Sequence, residues 1–349
     1  MTPPPEYAFL GTAPFVGGST AASSPHLLTL ARTLAPTFAL NALGYNARAF
    51  SLVGDPAISA ELARAKALVF ADLGAGTAAP YRQAIDSVPG LMFYDLFEVP
   101  APGTASLDFC SDARAILTAA SEHVAQSASA LVGRPVQTVA EPFQGLRDAP
   151  RAPHLPRRSR AVEWLARRAG LETEAWRLRL LWSGEETEVA SLRAAYPELV
   201  RLGAELPLAL HCIAPQGAAL ETLAQVLRED DPDAVQLRLE AWSPLAMVQA
   251  LASCHLVLLP DAGAASRSRL IGALHAGRFA IARSSPYHGK LAAFAWVGED
   301  LAEGVRWSAT HADEVLGRLT AGQRYLDEVH QPAAVARTWI QLFMKKATG

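Results

Sequence analysis

Short, continuously apolar runs recur along the chain, and between them the apolar positions fall at helical spacing. In the first half the runs are "YAFLG" from Tyr7, "RAFSLVG" from Arg48, "ALVFADL" from Ala67, "GLMFYDL" from Gly90, "AILTAA" from Ala115 and "VQTVAEP" from Val136. Helical stretches such as "SAELARAKA" from Ser59 and "RQAIDSV" from Arg82 lie between them. The second half restarts the rhythm with "RLRLLWSG" from Arg177, "LALHCIA" from Leu208, "VQLRLEAW" from Val235, "LVLLPD" from Leu256, "FAIARS" from Phe279 and "FAWVG" from Phe294. A strand that is apolar throughout, instead of at alternate positions, is covered on both faces, and intervening helices make such sheets parallel. The expected class is α/β, with two Rossmann-like domains.

The rhythm breaks once, in the Pro- and Arg-rich "GLRDAPRAPHLPRRSRAVEWLARRAG" from Gly145 to Gly170. The expected organisation is an N-terminal domain over 1–150, a linker over 151–176 and a C-terminal domain over 177–330. Two domains of this kind would face a central cleft at the carboxyl ends of their strands, where ligands of open α/β sheets bind. The arginines of the linker are either solvated or face anionic lipid or an acidic protein partner. The closing segment, 331–349, has Pro332 placed to start a helix, with Trp339, Ile340 and Phe343 on one stripe. It is expected to pack back on the N-terminal domain.

Composition narrows the classes. With 349 residues, half of them hydrophobic and 19% charged, the chain suits a soluble protein with two cores. A net charge of −3 gives no general drive toward nucleic acid. Cys110, Cys212 and Cys254 are too scattered for a disulfide framework or a zinc site, and no metal site is expected. The opening "MTPPPEYAFLG" has no leader pattern and no apolar run reaches membrane-spanning length, so a reducing cytoplasm is the expected location.

The segment "SRSRLIGALHAGRFAIA" from Ser266 poses a problem of charge. With Ser266 as N-cap, Arg267, Ser268 and Arg269 would occupy the first turn of a helix whose apolar face is Leu270, Ile271 and Leu274 and which Gly277 ends. A helix start is already partly positive, and cations there cost roughly 0.3–1 kcal/mol each. Free N–H groups and two guanidinium forks make an anion site that a nucleotide diphosphate would fit. The other reading is an ordinary serine cap with the arginines in solvent or paired with Asp261. A second phosphate-facing turn is possible at Ser183 and Gly184, where a strand runs into a helix. Trp242 either walls a base pocket or belongs to the core.

These segments resemble the nucleotide-sugar-binding domain of GT-B glycosyltransferases of the group 1 type. "LLWSG" is similar to the family's opening strand and glycine turn. "LEAWSPLAMVQALASCHLVLLPDAGAASRSRLIGALHAGRFAIA" resembles the stretch from the base-binding turn to the end of the phosphate-binding helix. "WVGEDLAEGVRW" and "RTWIQLF" are like a subgroup with a Ser-Asn-Arg-Leu motif, in which Ser268 here replaces the Asn. In the first half, "LARTLAPTFALNALGYNARAF" and "DARAILTAASEHVAQ" are similar more loosely. The resemblance implies transfer of a sugar from a nucleotide-diphosphate donor with retained configuration, no bound metal and no cofactor. The acceptor would be a small molecule, a glycan or a protein.

On this reading the donor side comprises Ser183, Gly184 with its N–H, Trp242, Ser266, Arg267, Ser268, Arg269, Leu270 and His288. His288 shares the "SSPYHGK" loop with Lys290. Phe15, Gly17 and Gly18 lie in a Gly/Ser loop suited to an acceptor-side lip or a plain connection. Asp95, at a strand end, is either the acceptor-positioning catalytic group or a carboxylate without a role. Two departures stand out. The family's Glu-x7-Glu positions hold Ala264 and Gly272, and its basic residue after the first glycine is replaced by Glu185 and Glu186, with Arg193 a distant substitute. A catalytically weakened GT-B-like binding or partner subunit is therefore an alternative. A second is an NAD-dependent oxidoreductase, because Gly74-x-Gly76-x-x-Ala79 follows a strand with Asp95 about twenty residues on.

Overall fold

The computed structural model describes residues 6–11, 30–51, 62–71, 90–145, 147–153, 177–228 and 235–347. The chain divides into two compact units, one of Met1–Ala21, Pro25–Gln144 and Tyr325–Gly349, the other of Ala22–Ser24 and Gly145–Arg324.

Each apolar run forms a strand. In the first unit these are β1 (Tyr7–Gly11), β2 (Ala47–Ser51), β3 (Ala67–Ala71), β4 (Leu91–Leu96), β5 (Ala115–Ala119) and β6 (Val136–Thr138). They form one parallel sheet in the order β2-β1-β3-β4-β5-β6. The described helices beside it are α1 (Ala35–Ala42), α2 (Ala105–Cys110) and α3 (Glu122–Val132). Helix α3 shows how local sequence sets an element's limits. Ser121 caps its start by accepting from the Val124 N–H, and Gly133 ends it at φ 67°.

The second unit repeats the plan with β7 (Leu178–Ser183), β8 (Leu208–Ala214), β9 (Val235–Ala241), β10 (Leu256–Leu259), β11 (Phe279–Ala282) and β12 (Trp296–Val297). All pairings are parallel and the order is β12-β11-β10-β7-β8-β9. The sheet grows one way from β7 to β9, then reverses, so that β10 lies on the other side of β7. Its helices are α4 (Val189–Gly203), α5 (Ala218–Arg228), α6 (Pro244–Ser253), α7 (Ala264–His275) and α8 (Leu301–Thr310). A long helix, α9 (Ala312–Val329), leads the chain from Arg324 in this unit to Tyr325 in the first.

The last helix, α10 (Pro332–Ala347), belongs to the first unit's core, as the apolar stripe implies. Trp339 is fully buried and meets Phe9 edge-on at 5.6 Å and Phe93 edge-on at 5.9 Å, while Phe343 stacks on Tyr7 at 4.6 Å. Beyond their area, aromatic pairs of this geometry add about 0.5–1.5 kcal/mol each. Trp339→Ala is expected to destabilise the protein by about 3–5 kcal/mol, read as a lower urea midpoint. An unchanged midpoint would mean that α10 is not part of this core.

Candidate functional site

The reversal between β7 and β10 leaves a crevice at the carboxyl ends of the two strands, the place where ligands of open parallel sheets bind. Three chain segments leave the sheet there. After β7, Gly184 and Glu185 lead through a 3₁₀ turn (Glu186–Glu188) into α4. After β10, Asp261, Ala262 and Gly263 lead into α7. After β11, Ser285 starts the 3₁₀ segment Pro286–Phe294, which carries His288.

Helix α7 starts three residues earlier than the serine-cap reading predicts. Gly263 is the N-cap, with no side-chain cap of its own, and Ser266 occupies the third helical position. The cause is the preceding turn. The Asp261 carboxylate takes the Gly263 N–H at 2.8 Å, Ser285 Oγ donates to the Ala262 carbonyl at 2.6 Å, and the Ser266 N–H already bonds the Gly263 carbonyl at 3.2 Å. The Ser266 hydroxyl is thereby released from capping and lies 2.8 Å from His288 Nε2. Leu270, Ile271 and Leu274 are buried as expected, and Gly277 ends the helix at φ 66°. Leu270, expected on the donor side, is fully buried in α7's core-facing surface. A β-carbon on Gly277 would sit 2.3 Å from the Ala149 carbonyl oxygen, so only glycine fits there.

The two arginines diverge. Arg269 gives both terminal nitrogens to the Glu188 carboxylate, one at 2.5 Å. The side chains are only 11% and 10% exposed. This corrects the expectation of a solvated or Asp261-paired Arg269: its partner is a carboxylate from the other side of the switch point. Glu188 serves a second purpose, accepting the Glu185 N–H at 2.7 Å in a capping box at the 3₁₀ turn. The acids that replace the family's basic residue thus include the N-capping Glu185, and the decisive partner is Glu188, which the spacing alone did not single out. A guanidinium-carboxylate pair between two helix starts leaves no sequence signal short of the fold. Arg267 is buried and its charge acts on His288.

His288 is 1% exposed, and its Nδ1 has no hydrogen-bond partner among the described residues. Burial, and then the Arg267 charge, lower its pKa to about 4, against a weaker upward pull from Asp261. The ring is therefore neutral at pH 7. Ser268 is buried as well.

The other sequence candidates are placed differently. Gly184 spends its N–H on the Ile213 carbonyl at 3.1 Å, which removes that amide as a phosphate donor. Its missing side chain admits the Trp182 ring, which a β-carbon would approach to 2.3 Å. Ser183 ends β7 half-buried. Trp242 follows β9, half-buried, with its N–H on the Ala214 carbonyl at 2.8 Å, and the next residue, Ser243, caps α6.

In the first unit, Asp95 is buried rather than presented at a strand end. Its oxygens accept from Arg32 Nε at 2.6 Å, from the Arg32 terminal nitrogen at 2.5 Å and from the Thr118 hydroxyl at 2.7 Å, while Arg32 also reaches the Val139 carbonyl. A carboxylate so engaged joins β4, β5 and the turn carrying Arg32. It is not free to handle a substrate, which corrects its assignment as catalytic. The same pairing weighs against a ribose-binding acid for NAD. Gly74, Gly76 and Ala79 lie outside the described residues, as do Phe15, Gly17, Gly18 and linker residues 154–176.

Burial pushes the thiols of Cys110 and Cys254 up to about 11 and about 12 and raises that of Cys212 too, so none is poised as a nucleophile. Among the described residues no three His, Cys, Asp or Glu side chains gather into a metal-holding cluster, and no helix is long and apolar enough to cross a membrane.

Two outcomes follow for stability. Removing one member of a buried ion pair strands the other, so Arg269→Met and Glu188→Met are each expected to cost about 3–5 kcal/mol, with the double variant well short of their sum. Additive losses in chemical denaturation would mean that the pair is not coupled. For His288, the unfolded chain takes up a proton near pH 6.5 and the folded protein only near 4. Between those values the unfolded state holds more protons, so stability falls as pH drops, by roughly 3 kcal/mol over the whole window. His288→Gln is expected to lose that share of the acid sensitivity, and an identical stability profile would refute it.

No protein-family model matches the chain, and no curated protein matches its sequence. Solved structures match over nearly its full length. HepE from Anabaena, in complex with UDP and glucose, superposes with a TM-score of 0.68 at 10% identity, covering 97% of this chain and 99% of that one. A glycosyltransferase from Rickettsia africae gives 0.65 at 10% identity over 97% and 98%, and WaaG, a glycosyltransferase involved in lipopolysaccharide biosynthesis, gives 0.59 at 13% identity over 95% and 98%. With two parallel six-stranded sheets and a last helix returned to the first, the chain has the GT-B fold.

Proposed function

We propose that this protein is a metal-independent glycosyltransferase that moves a sugar from a nucleotide-diphosphate donor to an acceptor, with retention of configuration. One observation carries the reading: at the switch point of a GT-B C-terminal unit, the first turns of α7 contain a buried arginine and no acidic residue. The orphan N–H groups of a helix start and a guanidinium beside them favour the charge that grows on a departing diphosphate. Arg267 is the side chain assigned to that charge, with Ser266 and Ser268 on the same turns and the Trp242 ring offered to the base. HepE has been crystallised with UDP, with UDP-glucose and with UDP and glucose, which supports a nucleotide sugar as the donor class. The acceptor is a small molecule, a glycan or a protein, and no cofactor is needed.

A second reading has its own support. Gly272 leaves open space where the resemblance places the ribose-holding glutamate, and Arg269 is committed to Glu188. A subunit that binds nucleotide without transferring sugar would have these features.

Calorimetric titration with UDP, GDP and ADP, followed by assay of transfer from the matching sugar nucleotides, separates the two. Transfer supports the enzyme, binding alone supports the subunit, and binding of none of the three removes the donor assignment. Arg267→Ala is expected to weaken nucleotide-diphosphate binding at least tenfold, about 1.4 kcal/mol. Unchanged affinity in a folded variant would end its phosphate role.

A further inference from the structure

Ser266 and His288 stand apart from the other buried polar groups of the second unit. They come from different segments, 22 residues apart, and meet at 2.8 Å with each residue 1% exposed. The contact uses one ring nitrogen and the only hydroxyl of α7's first turn. The second ring nitrogen, Nδ1, has no partner among the described residues. A buried polar atom left in that state costs about 1–3 kcal/mol. That cost falls at the start of a twelve-residue helix, beside Arg267.

The segment holding the imidazole turns on a glycine. Immediately after His288, Gly289 breaks the 3₁₀ segment at φ 51° and ψ −130°, a conformation that side-chain-bearing residues avoid. A β-carbon there would meet nothing within 4 Å, so backbone conformation and not space is what calls for glycine.

We infer that His288, oriented by the Ser266 hydroxyl, is a ligand-binding residue of the phosphate corner, its Nδ1–H donating to an oxygen of the nucleotide diphosphate. This deepens the proposed function and rests on it. The inferred contact requires the Ser266 hydroxyl to donate to Nε2 across their 2.8 Å contact, because the ring then carries its proton on Nδ1. Both groups are sealed from solvent in the present state, so the inferred contact requires the turn around Gly289 to shift on binding. The charged groups acting on the ring are Arg267 from α7 and Asp261 from the preceding turn. A diphosphate beside the ring would outweigh Arg267 and favour the imidazolium.

The test uses the whole chain with UDP, GDP and ADP. His288→Gln retains a polar group at the Nε2 position, facing Ser266, and removes Nδ1. It is expected to keep the wild-type melting temperature at pH 7.5 and to weaken whichever nucleotide binds by about tenfold. His288→Asn, which keeps a donor near Nδ1, is expected to bind better than the Gln variant. In parallel, the His288 imidazole C2–H signal, assigned by its loss in the Gln variant, is titrated by NMR. Saturating nucleotide should raise its midpoint by at least one pH unit, and Ser266→Ala should reduce that rise. Wild-type affinity in the Gln variant, or a midpoint that nucleotide does not move, overturns the inference. If the wild type binds none of the three nucleotides, the donor assignment fails first, and the inference that rests on it falls too.

Discussion

A parallel sheet that reverses its direction of growth places two strand ends, and the helices that follow them, side by side. In the second unit these are the start of α7 and the 3₁₀ turn that leads into α4, and a helix start carries partial positive charge. Such a corner calls for anions. The chain supplies one itself, Glu188, which takes an N–H from its own turn and both terminal nitrogens of Arg269 from α7. A single carboxylate thus joins the two turns across the reversal. Much of the local arrangement depends on that join, because it sets how α7 is held against the start of α4.

Satisfying Arg269 internally changes what remains for a ligand. Two exposed guanidinium groups at a helix start would form a strong but indiscriminate anion trap. With one of them closed off, the groups that the proposed function leaves for a ligand are Arg267, the first-turn amides and the neutral Ser266–His288 pair. Keeping His288 uncharged at pH 7 also spares the corner a further cation when no ligand is bound. On the proposed function, charge is thereby limited to what a diphosphate would neutralise, and hydrogen-bond direction would take a larger share of recognition.

The architecture was legible in the sequence because it rests on local pattern. All the apolar runs became strands, with β1 and β8 matching "YAFLG" and "LALHCIA" residue for residue, and the stripe of Trp339, Ile340 and Phe343 entered the first unit's core. The site was legible only in outline. "SRSRLIGALHAG" located the right helix, but not its start, because the cap depends on Asp261 and Ser285 holding the preceding turn. Nor does any spacing join Glu188 to Arg269, 81 residues later, or Arg32 to Asp95, 63 residues later. Buried ion pairs of this kind are tertiary choices: either partner alone reads as a solvated charge, and only the strand order brings them together.

Asp95 and Glu188 show how the same physics separates scaffold from site. Both are buried carboxylates near strand or helix ends, and each takes an arginine side chain in a two-point grip. Asp95 has Thr118 as a further donor, and Arg32 reaches on to the Val139 carbonyl, so that network closes on itself. Around Glu188 the network is also closed, but three residues before Arg269 lies the Ser266–His288 pair with a ring nitrogen to spare. Both carboxylate clusters are satisfied within the fold, whereas the Ser266–His288 pair keeps a ring nitrogen that no described residue engages.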